Sequence, residues 1–146
     1  MQTAQALERL EALYANYCET ADRLDHSRKL GAGMFGLPGG PADDPCHPRF
    51  REDVGALLAQ CAADGPDPAS VREVLAFLFE RPLRSAAPKS AFWMLIAVQA
   101  LAKELIPMLA PADAQALAAR FKELYPRRAR LPVQDEILKL LQNAGK

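Results

Sequence analysis

Apolar side chains recur along this chain at spacings of three and four, and almost never at spacing two. Leu7, Leu10, Tyr14, Tyr17, Ala21 and Leu24 draw one stripe on a first helix over about Thr3 to Leu30. Gly31 is expected to end it as a left-handed cap. A second stripe, Phe50, Val54, Leu57, Leu58 and Cys61, opens near Pro45 or Pro48, with Asp44 placed to cap it, and breaks at Gly65-Pro66. Asp67 followed by Pro68 has the arrangement of a cap and a first helical residue. The third stripe then runs through Val71, Val74, Leu75, Leu78 and Phe79, and Arg81-Pro82 is expected to stop it.

The fourth segment differs. From Pro88, the residues Phe92, Trp93, Leu95, Ile96, Val98, Leu101, Leu105 and Ile106 leave it little polar face. Such a helix belongs at the buried centre of a bundle. Its densest run, Ala91–Ala102, is broken only by Gln99 and is shorter than the roughly 20 residues a membrane span needs. Pro107 and Pro111 separate it from a fifth helix carrying Ala114, Leu117, Phe121 and Leu124. A corner from Tyr125 to Pro132 leads into a last helix through Val133, Ile137, Leu138 and Leu141. The expected fold is therefore all-α: one domain over 1–146, a compact bundle of five to six helices with a central apolar helix. Residues 31–47 break the pattern. They hold Gly31, Gly33, Gly36, Gly39 and Gly40, five of the eight glycines, and read as one long Gly/Pro-rich loop, the kind that carries function.

Composition adds exclusions. Lys plus Arg equals Asp plus Glu, at 18 each, so no global field attracts a polyanion. A nucleic-acid role is not expected. Three cysteines at wide spacing, with no secretory leader before them, point to free thiols in a reducing cytoplasm.

Few residues suggest chemistry. Gly31-Ala32-Gly33-Met34-Phe35-Gly36 has the letters of a dinucleotide fingerprint. The mechanism needs a strand before the glycines and a helix after them, and both are missing from the pattern. Asp43, Asp44, Cys46 and His47 cluster before the second helix. A cysteine at a helix N-terminus is biased toward thiolate, and a neighbouring histidine is a potential base. Adjacent side chains normally diverge, however, so a capped helix start with a buried cysteine is the plainer reading. The same residues, with Asp22 and His26 sharing a face of the first helix, are possible metal ligands. No pair of cysteines has zinc spacing. No metal and no cofactor is expected.

Arg127, Arg128 and Arg130 form a basic turn beside Tyr125, able to hold a phosphate or a carboxylate-rich partner. Pairing with acids of the same fold is the plainer reading. Phe92, Trp93 and Met94 read as core. The pattern as a whole points to a non-enzymatic interaction or adaptor domain that presents the loop or the arginine turn to a protein partner. The alternative is a small-molecule or metal binder, or a cysteine-based enzyme, centred on Cys46 and His47.

Overall fold

Asp67 shows how the local signals are realised. Its Oδ1 accepts the Ser70 backbone N–H at 2.8 Å, which satisfies one of the donors that every helix start leaves open. Bonds from the Ser70 side chain and backbone hold the Asp67 carboxyl below its usual range. Pro68 then takes the first helical position, where its missing N–H costs nothing. Two residues before Asp67, Gly65 adopts φ +62°, the only left-handed residue among those described.

The computed structural model describes residues 2–35, 45–84, 87 and 89–146. Among them are six α-helices and no strand. They are α1 (Thr3–Phe35), α2 (Cys46–Ala63), α3 (Pro68–Arg84), α4 (Lys89–Ala97), α5 (Pro111–Leu124) and α6 (Pro132–Ala144). A 3-10 stretch, Val98–Met108, continues α4, and a single 3-10 turn, Arg127–Ala129, precedes α6. The all-α bundle and its central apolar element are as the pattern implied. Together α4 and the 3-10 stretch pack against α1, α2, α3 and α6, while α5 closes on α3 and α6. The segment Ala91–Met108 is long and apolar enough to cross a membrane by length and composition, and half of it is buried in this core. Tyr14, Leu58, Leu75, Leu95, Phe121 and Ile137, one from each helix, are all fully enclosed.

Three boundaries differ from the sequence reading. The first helix does not end at Gly31. It continues through Gly31 and Gly33 to Phe35. Glycine in a helix costs roughly 1 kcal/mol relative to alanine, which weakens a helix without terminating it. The start of the expected loop at 31–35 is therefore helical, and residues 36–44, with Asp43 and Asp44, lie outside the described residues.

The third helix is not stopped at Pro82. It runs to Arg84 with Pro82 buried inside its last turn. A proline there removes only the single bond its N–H would have made to the carbonyl four residues back. The fourth segment is not one α-helix. At Val98 it tightens into 3-10 winding that lasts 11 residues and includes Pro107. With a rise near 2.0 Å per residue, that stretch covers about 22 Å.

Candidate functional site

The carbonyl that Pro82 leaves without a helical donor belongs to Leu78. Gln99, buried at the start of the 3-10 stretch, donates its Nε2 to that oxygen at 3.1 Å. The same Nε2 lies 3.1 Å from the Tyr125 hydroxyl, which in turn donates to Phe79 O at 2.5 Å. Gln134, on the first turn of α6, reaches Gln99 Oε1 at 3.5 Å through its Nε2, and its Oε1 accepts the Leu131 backbone N–H at 3.0 Å. A buried polar chain thus ties the ends of α3 and α5 to the centre of the bundle and to the start of α6. Burial of Tyr125 pushes its hydroxyl up to about 12, opposed in part by the Gln99 hydrogen bond.

Above this network lies an open groove of about 340 Å³. Tyr125 and Gln134 belong to its lining, and its walls are Leu83, Trp93, Phe92 and Leu131. Leu83 is 48 % exposed, Trp93 43 % and Leu131 47 %. Met108, elsewhere, is the one other large hydrophobic that stands out as exposed among the described residues. Three of the four exposed large apolar side chains therefore share one concavity. Exposed apolar surface concentrated in one concavity makes it a candidate site, whereas single exposed leucines mean little. Among the described residues no carboxylate lines the groove, and Lys89 does.

The arginine turn forms its edge, because Ala129 of the same 3-10 turn lines the groove. The three arginines are not equivalent. Arg130 is held in place: its Nε donates to Asp135 Oδ1 at 2.9 Å and its Nη1 reaches Tyr125 O at 3.4 Å. Its side chain is only 11 % exposed, and these bonds fasten the corner. Arg127 and Arg128 are exposed and form no ion pair among the described residues.

Cys46 and His47 go separate ways. Cys46 is the first residue of α2, half-buried, and lines a second cleft of about 380 Å³ between α1 and α2 with Tyr17, Thr20 and Arg49. His47 is buried. Its Nδ1 lies 2.5 Å from the Tyr17 hydroxyl, and its ring lies over Trp93 at 6.0 Å between centroids with 29° between planes. Tyr17 is itself stacked on Phe50 at 4.2 Å. His47 is thus a packed and hydrogen-bonded element of the α1–α2–α4 junction that braces the inner side of Trp93. Asp22 and His26 are exposed on α1, and no group of three or more potential metal ligands forms among the described residues.

The sequence reading placed Trp93 in the core with Phe92 and Met94. Met94 is buried and Phe92 half-buried, but Trp93 faces the groove. Leu83 and Leu131 were not singled out at all. Each sits beside a proline, Leu83 at the end of α3 and Leu131 just before α6, but neither placement separates an exposed leucine from a buried one. No protein-family model, curated protein or solved structure matches this chain.

Proposed function

We propose that this chain is a non-enzymatic protein-interaction domain whose docking face is the groove between the ends of α3, α4 and α5 and the start of α6. The observation that carries this reading is the convergence of Leu83, Trp93 and Leu131, all strongly exposed, on one concavity with a rigid polar floor. Large aromatic anchors at the centre of a patch carry most of the energy of a typical interface. A floor already fixed by Gln99, Tyr125 and Gln134 lowers the ordering cost of binding. The reading of a metal or small-molecule binder at Cys46 and His47 has less support, because His47 already uses Nδ1 on Tyr17 and its ring on Trp93.

The test is site-specific photo-crosslinking in the cells that make the protein. A photoreactive side chain at position 83 or 131 is expected to capture a discrete partner polypeptide. The same group at exposed Ala59 on α2 is the control. Capture should disappear when Trp93→Ala is added. Equal capture from position 59, or capture indifferent to Trp93, would sink the proposal.

A further inference from the structure

The walls of the groove are apolar, and three cations stand at its mouth. Lys89 lines the groove at the start of α4, and Arg127 and Arg128 stand beside Ala129 on the turn that forms an edge of it. These three cations make no ion pair among the described residues. Four acids of the neighbouring elements are already engaged. Asp135 holds Arg130, Glu80 and Glu123 hold Arg120, and Glu136 holds Lys103. The mouth therefore carries three cations without an ion-paired acid among the described residues, although the chain as a whole is neutral.

We infer that the occupant of the groove is an acidic amphipathic helix, with its apolar stripe on Leu83, Trp93 and Leu131 and its carboxylates on Arg127, Arg128 and Lys89. This rests on the docking reading above and names the partner's chemistry. An amphipathic helix offers anchors at i, i+3, i+4 and i+7, which suits a concavity with three apolar contact points, one each from the end of α3, the middle of α4 and the residue before α6. Arginine guanidinium groups bind carboxylates bidentately, so two free arginines on one turn select for acids at defined positions along that helix. A local positive edge on a neutral protein acts only over about a Debye length, roughly 8 Å at physiological salt. That range suits a short acidic segment lying in the groove and gives little hold on an extended polyanion.

Trp93 is the only tryptophan in the chain, so its emission reports directly on the groove. A displayed library of short helical peptides, apolar at i, i+3, i+4 and i+7 and drawn from Glu, Lys, Ser and Ala elsewhere, is selected on the full chain and counter-selected on Trp93→Ala and on Leu131→Asp. Glu is expected to be enriched over Lys at the flanking positions. Synthetic copies of the selected peptides should shift Trp93 emission to the blue and bind more weakly as salt rises. They should lose roughly tenfold in affinity to the Arg127→Glu/Arg128→Glu protein. Selected peptides that are rich in Lys or indifferent to charge overturn the acidic partner and leave the docking groove standing. Selection that never separates the wild type from both groove variants overturns the groove itself. A blue shift produced by phosphatidylserine vesicles, or by self-association of the protein, would assign the face to a lipid surface or a second copy and overturn the inference equally.

Discussion

Gln99 donates its side-chain amide to the main-chain oxygen of Leu78 at 3.1 Å, and that oxygen is the one Pro82 cannot serve. The pairing explains two departures from local rules at once: a proline inside a helix and an amide inside the most apolar segment. Leaving a buried carbonyl unpaired costs about 1–3 kcal/mol. Gln99→Leu is expected to lose that much in urea unfolding. In a Pro82→Ala background the restored N–H can serve Leu78 O, and the same substitution should cost about 1 kcal/mol less. Strict additivity of the two changes would argue against this coupling.

Tyr125 carries a pH dependence. Its hydroxyl titrates near 10 in the unfolded chain and is pushed up to about 12 in the fold, chiefly by burial. A raised pKa means that the folded state favours the neutral form. The contribution is complete below about pH 10 and is lost as pH rises through about 12. Tyr125→Phe should lower stability near neutrality by about 1 kcal/mol, since the buried bond from its hydroxyl to Phe79 O is lost, and should flatten part of the alkaline decline. An unchanged alkaline slope would count against it.

Tyr14 presents the opposite case. Its ring is fully buried, edge-on to Phe50 at 5.1 Å and to Phe77 at 5.3 Å. Its hydroxyl has no hydrogen-bond partner among the described residues, and burial raises its pKa well above the normal tyrosine range. Removing an unsatisfied buried hydroxyl while keeping the ring should not harm the fold. Tyr14→Phe is expected to be neutral or stabilising by about 1 kcal/mol. A clear drop in melting temperature would show that the hydroxyl is satisfied in solution.

Gly65 links α2 to α3 in the left-handed region, with open space around the position a Cβ would occupy. The cost of a side chain there is purely backbone strain. Gly65→Ala should destabilise by about 1 kcal/mol and leave the native spectra unchanged. A neutral result would mean that the turn relaxes to negative φ.

The three thiols should differ in reactivity. Cys61 is buried, and desolvation raises its pKa, with the nearby Asp64 carboxylate adding to the shift. Cys18 and Cys46 are half-buried. Alkylation followed by peptide mapping is expected to modify Cys61 last. Early modification of Cys61 would place it at a surface the fold does not offer.

The sequence by itself determined the class of fold and most of its segmentation. Spacings of three and four, with so few β-branched residues, leave helices as the only regular structure able to bury those stripes. Asp67-Pro68 set the start of α3 through side-chain chemistry that acts within a few residues. A buried centre for the segment around Phe92 to Ile106 followed from its lack of a polar face. Pro82 and Gly31 were misread because a breaker raises a local cost, and only contacts from elsewhere decide whether that cost is met. For Pro82 the contact is Gln99, 17 residues along the chain. The groove was hidden for the same reason. Leu83, Trp93 and Leu131 lie on three different segments, and nothing local distinguishes an apolar side chain bound for the core from one left on the surface. The sequence offers His47 as a base and Arg130 as an anion-binding group, and tertiary packing engages both, one on Tyr17 and Trp93, the other on Asp135. Periodicity acts through the helix itself and can be read along the chain, whereas the partner of each side chain depends on which helix ends the fold brings together.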